Sequence, residues 1–281
     1  MSARATNESQ AFAGFEQKWL AAHPEQRLVA VFLPSAPRHR ANAFGTLVHE
    51  LAHTAFHIRE AQVATAKLEW WQQELHRSAL GQPGHPITRA LFDDEIAREC
   101  DPALWPALAD GALEQFDRPG AGTLSALIEQ LDPFFGAVAK AESALLCDGK
   151  GNVESNAALW TLSHLLHALP DMAQAEGHLP LPLALLARHG IVRADLTQPS
   201  PRRNILIKDF LDELVLETNG ALGVASVHSL ALRVRTRLDR ARITKALTLT
   251  DPLAYLQAHP HAGRWTTLWA VWREARSDKL R

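Results

Sequence analysis

The chain has 281 residues, 47% of them hydrophobic and 21% charged, which is ample for a sizeable buried core and excludes a disordered chain. Its 29 Lys and Arg balance 31 Asp and Glu, so no net basic field draws it to nucleic acid, and any polyanion must be bound locally. Two cysteines, Cys100 and Cys147, argue for a reducing compartment, and we expect a cytoplasmic protein.

The N-terminus is polar and lacks the basic start and apolar run of a signal peptide; residues 1–9 are read as a flexible extension. From residue 10 to residue 281 the chain reads as one domain. Apolar residues recur every three or four positions among Ala, Leu, Glu and Arg, so the predicted class is all-α, with about ten to twelve helices around a central cavity. Helices are predicted near 10–22, 38–57, 62–79, 87–98, 102–115, 123–146, 154–169, 204–218, 225–246 and 261–275. Glycine- and proline-rich loops such as 81–86, 118–122, 148–151 and 198–201 punctuate them. Asn204 is the expected N-cap of its helix and Asn219-Gly220 the stop. Leu179 to Ala187 is nearly apolar, but it contains two prolines and is far short of the roughly 20 residues of a membrane span.

The second of these helices carries His49-Glu50-Leu51-Ala52-His53, an H-E-x-x-H pattern. On a helix the two histidines share one face, as two zinc ligands do, with Glu50 placed as a general base. The extended form needs Gly at 56 and His at 59, where Phe56 and Arg59 stand; a more distant glutamate is the remaining candidate for a third ligand. His57 extends the row to 49, 53 and 57, which equally suits a polar stripe facing a water-filled cavity.

Further along, Lys67-Leu68-Glu69-Trp70-Trp71-Gln72-Gln73-Glu74-Leu75 is followed by Gly81, His85-Pro86-Ile87 and Ala90-Leu91. This run resembles the K-L-x-W-W-x-x-E-L segment and G-x-P-x-H-P loop of the squalene/phytoene synthase family. The likeness continues through 123–146 and 162–190 and ends in a final helix rich in Arg and Trp. It implies an isoprenoid-synthase fold in which two aspartate-rich helices hold Mg²⁺ against prenyl diphosphates that are joined head to head. Mg²⁺ takes oxygen ligands, and diphosphate departure needs positive charge where negative charge develops.

By spacing from Trp70, the first acidic motif falls on His49, Glu50 and His53. The second falls on His164-Leu165-Leu166-His167-Ala168-Leu169-Pro170-Asp171-Met172, followed by Gly177-His178-Leu179-Pro180. The resemblance therefore implies Glu50 and Asp171 as the residual catalytic and metal positions, with His49, His53, His164, His167, Lys67 and Trp70 beside the substrate. Two carboxylates are few for a Mg²⁺ cluster, and imidazole is a poor Mg²⁺ ligand. Protonated, or donating through N–H, these histidines would instead hold an anionic group without metal.

Three functions of different class follow. One is a prenyltransferase of isoprenoid metabolism acting on prenyl diphosphates with Mg²⁺. The second is an inactive relative that binds an isoprenoid or lipid or assists assembly of another complex. The third is a zinc hydrolase using His49, Glu50 and His53. Arg233, Arg237 and Arg240 form one helical stripe and Arg235 and Arg242 another, read as a solvated face. Trp265, Trp269 and Trp272 form a third stripe, read as closing the core; an exposed stripe of this kind marks a partner or peripheral membrane contact. Nucleotide-binding glycine loops and C-x-x-C pairs do not occur.

Overall fold

The computed structural model describes residues 2–116, 118–172 and 179–278, and the side chains among them from Gln10 to Ser277. Among these the chain forms fourteen α-helices, two short 3₁₀ turns and no strand, as the helical periodicity predicts. In order they are α1 (Ser2–Ala22), α2 (Glu25–Val31), α3 (Ser35–His57), α4 (Ala61–Ala79), α5 (Pro86–Phe92), α6 (Glu95–Glu99) and α7 (Leu104–Leu113). There follow α8 (Leu124–Leu146), α9 (Val153–Ala168), α10 (Leu183–His189), α11 (Pro201–Gly223), α12 (Leu230–Leu247), α13 (Pro252–Ala258) and α14 (Arg264–Asp278).

Local chemistry sets most of the boundaries. Side-chain oxygens of Thr123, Asn152, Ser200, Ser229 and Asp251 accept N–H groups at the starts of α8, α9, α11, α12 and α13, satisfying donors that the first helical turn leaves without intrahelical partners. Three expected boundaries move. The cap of α11 is Ser200, with Pro201 in the first turn, so Asn204 lies inside the helix, and α11 continues through Asn219-Gly220 to Gly223. The expected helix 87–98 is two, because Asp94 caps a new start. Short α2, α10 and α13 lie outside the expected helices; Pro24, Pro182 and Pro252 precede or open them, and proline is tolerated there because a first-turn N–H has no partner to lose.

One large apolar cluster joins α3, α4, α5, α7, α8, α9 and α11, centred on Leu47, Leu51, Trp71, Phe134, Leu166 and Phe210. A smaller one, Val29, Leu230, Val234, Leu238, Ala270 and Val271, fastens α2 and α14 to α12. Gly111 lets α7 cross α8 so closely that a Cβ there would collide with the Pro133 carbonyl. No helix of the described residues is long and apolar enough to cross a membrane.

Candidate functional site

Between the two clusters lies a cavity of about 370 Å³ walled by α1, α2, α3, α8, α9 and α12. Its surface is mostly apolar, including Trp19, Val29, Phe44, Val48, Phe135 and Leu146. Gly45 shapes one side, because the absence of a side chain lets the Trp19 indole lie directly on α3.

Into this apolar wall the chain inserts a band of imidazoles. His49, His53 and His57, one turn apart on α3, face the cavity together with His23, and His164 and His167 enter it from α9. The rings are neighbours: His23 and His49 meet edge to face at 5.5 Å between centroids, and His53 and His57 stack at 5.4 Å. His164 is wedged between Phe56 and Phe135 at 4.2 and 5.2 Å. The two helices that the resemblance assigns to the acidic motifs thus contribute to a common hollow, and all four histidines expected beside a ligand line it.

Burial disfavours the charged form of four of them. Desolvation pushes His164 down to about 3, with His57 and His167 adding to the effect. It holds His23 well below its ordinary value, helped by Arg235, and lowers His49 and His57 as well. Burial thus favours the uncharged form of these four, so of the two expected ways of holding an anion, donation through N–H is the one that it favours at His49 and His164. His23 shows it directly, since its Nδ1 accepts a hydrogen bond from Arg235 Nη2 at 2.7 Å.

Arg235 is the one lysine or arginine on the described wall. Its guanidinium lies 4.7 Å over the Trp160 ring and 3.6 Å from Glu25. Arg235 and Arg242, read as a solvated stripe, are in fact inward. Arg242 is buried 3.9 Å from Asp239, whose carboxylate accepts the His167 Nε2 proton at 2.9 Å. Burial works to raise the Asp239 carboxyl, but the His167 charge and hydrogen bond prevail and leave it lowered. Arg233 and Arg237 pair with Glu274 of α14.

Glu142 of α8 was not anticipated. It is fully buried on the cavity wall, accepting the Trp160 indole N–H at 2.8 Å and the Ser229 hydroxyl at 2.7 Å, and burial raises its carboxyl. The sequence did carry a signal: a lone acid two turns after Phe135 on the apolar face of α8.

The remaining expected residues are placed elsewhere. Glu50 turns to α4, where Lys67 Nζ binds it at 3.3 Å. Neither residue lines the cavity, nor does Trp70, which is half-exposed beside Trp71 and His85. Trp71 is core. Asp171 is exposed in the 3₁₀ turn that follows α9, near enough to His57 for its charge to act there, but it is not part of the wall. Gly177 and His178 of the second motif fall outside the described residues.

A Mg²⁺ cluster needs several ionised carboxylates directed at one point. The described wall offers imidazole nitrogens and a buried, proton-favouring Glu142, a donor set that does not fit that ion. No group of three or more His, Cys, Asp or Glu among the described residues is arranged to hold a metal, and the H-E-x-x-H glutamate is engaged by Lys67.

An all-α bundle enclosing a cavity between α3 and α9 is the isoprenoid-synthase fold. A dehydrosqualene synthase crystallised with a ligand superposes with a TM-score of 0.68 at 15% identity, covering 98% of this chain and 99% of that one. Squalene synthase HpnC from Alicyclobacillus acidocaldarius gives 0.59, also at 15% identity, over 96% of each chain. The squalene/phytoene synthase model matches residues 23–271, and the chain belongs to that family. Membership relates it to isoprenoid metabolism. No curated protein matches the sequence.

Proposed function

We propose that this chain is an isoprenoid-binding member of its family that accommodates one prenyl ligand in the cavity without coupling two of them. The observation that supports it is the wall itself. Apolar side chains are suited to a prenyl tail, His49, His53, His164 and His167 to hydrogen bonds with a polar head, and Arg235 to one anionic group. The chemistry of head-to-head transfer asks for more, because each departing diphosphate needs metal-borne positive charge. One arginine and a band of imidazoles are a weak substitute.

Family membership favours a second reading, Mg²⁺-dependent prenyl transfer with Glu50 and Asp171 as residual metal positions. One experiment separates the two. The protein is incubated with farnesyl and geranylgeranyl diphosphate, with Mg²⁺ or Mn²⁺, and both bound ligand and released pyrophosphate are measured. We expect one ligand per chain, at least tenfold weaker binding in Ala52→Phe, which fills the cavity, and no pyrophosphate. Pyrophosphate release abolished by Glu50→Gln would establish the transferase instead, and absence of binding would defeat both.

A further inference from the structure

The outer face of α14 is built unlike the rest of the surface. Trp265, Trp269 and Trp272 are 83%, 52% and 47% exposed, and Leu268 beside them is exposed as well. At 100° per residue the three indoles occupy an arc of about 60°. That arc lies diametrically opposite the face formed by Thr267, Ala270 and Val271, which seals α14 onto α2 and α12. The expected role of this stripe, closing the core, is performed by those smaller residues, and the tryptophans point to solvent.

Among the described residues, charge on this face has one sign. Arg273 lies 5.2 Å over the Trp269 ring and Arg276 5.4 Å over Trp272, while Arg237 of α12 approaches Trp269 at 5.8 Å. Glu274 is turned inward and bound to Arg233 and Arg237, so it leaves the outer face uncompensated. A molecule whose formal charge is -2 therefore concentrates cations and indoles together on one helix.

We propose that the outer face of α14 docks flat on an anionic lipid surface, with Trp265, Trp269 and Trp272 entering the headgroup layer and Arg273 and Arg276 meeting lipid phosphates. Indole is the side chain that suits the boundary between headgroup and acyl chain, and arginine supplies the attraction to anionic lipid. The convex helix forms no groove for a peptide. A second copy would set arginine against arginine, so complementarity favours lipid over self-association. The inference is independent of the ligand in the cavity.

Full-length protein is sedimented with vesicles of equal phosphatidylglycerol and phosphatidylcholine and with vesicles of phosphatidylcholine alone. Binding to the anionic vesicles is expected, with indole quenching by bromine-labelled acyl chains. The partition coefficient should fall at least tenfold in 0.5 M salt and in Trp265→Ser/Trp269→Ser/Trp272→Ser, whose circular dichroism should match the parent. Trp265→Ser alone, at the most exposed position, should weaken binding severalfold if the triple variant folds poorly. Protein that stays in the supernatant, or that sediments equally in the tryptophan variants, overturns the proposal. So does a dimer in light scattering that the variants convert to monomer, which would assign the face to a second copy.

Discussion

Trp160 donates its indole N–H to the buried carboxyl of Glu142 at 2.8 Å, and so joins α9 to α8 at the cavity wall. The same carboxyl accepts the hydroxyl of Ser229, which in turn caps α12 through the Leu232 N–H at 3.0 Å. One side chain therefore ties three helices of the cavity together. Glu142→Ala leaves two buried donors without acceptors and should cost about 2–4 kcal/mol in urea unfolding. Glu142→Gln keeps the shape and a carbonyl acceptor and should change stability by no more than about 1 kcal/mol near pH 4.5. Because burial raises the folded-state carboxyl, ionisation costs the parent stability as pH rises from the ordinary carboxyl range through the raised value. Gln carries no such cost, so the variant should gain on the parent between pH 4.5 and 8.

The histidine band predicts acid sensitivity. His23, His49 and His164 resist protonation in the folded state, whereas the unfolded chain takes up protons as pH falls through about 6.5. The unfolded state then binds more protons, so stability present above that value is lost progressively as pH falls below it, for His164 down to about 3, at up to about 1.4 kcal/mol per pH unit. Melting temperatures from pH 7.5 to 4.5 should fall steeply. His164→Leu, which keeps an apolar group between Phe56 and Phe135, should flatten that dependence by one histidine's share; an unchanged slope would place the acid sensitivity elsewhere.

The helical class was legible because periodicity and loop residues report secondary structure directly, and the positions of the histidines on α3 and α9 followed from spacing. What periodicity cannot report is which way a stripe faces. Trp265, Trp269 and Trp272 have the spacing of a core stripe and lie outside, while Arg235 and Arg242 have the spacing of a solvated one and lie inside. Direction is set by neighbours distant in sequence: Glu274 draws Arg237 to α14, and His23 and Trp160 hold Arg235 at the cavity. The likeness at Lys67 to Leu91 identified the family, yet α4 contributes nothing to the wall. Among the described residues the motif there organises the loop that follows α4.

Glu74 supplies the reason. Its carboxylate is completely buried and accepts the backbone N–H groups of Gly84 and His85 at 2.7 and 2.8 Å, the Thr88 hydroxyl at 2.5 Å, and Arg77. The loop after α4 and the start of α5 are folded around it, so the tryptophan segment and the glycine-proline loop belong together. Burial acts to raise this carboxyl, but the donors outweigh it and hold it lowered, so its stabilisation is present above the ordinary carboxyl value and lost as pH falls below it. Glu74→Ala should cost about 3–5 kcal/mol in urea unfolding at pH 7, and Glu74→Gln somewhat less, since an amide retains one acceptor oxygen.

Two glycines test whether backbone approach or backbone freedom governs the helices. Gly111 sits where α7 meets α8, and an added methyl would strike the Pro133 carbonyl, which is main chain and has no rotamer to give. Gly111→Ala should therefore destabilise by more than about 2 kcal/mol, because the helices must separate and open contacts around Phe134. Gly220 lies exposed within α11 with nothing near its absent Cβ. There, Gly220→Ala should stabilise by about 0.5–1 kcal/mol, since alanine has less backbone entropy to lose on entering a helix. Urea unfolding of both variants checks the contrast. Equal small effects would mean that α7 and α8 do not meet at Gly111, and the cavity wall built on α8 would have to be redrawn with them.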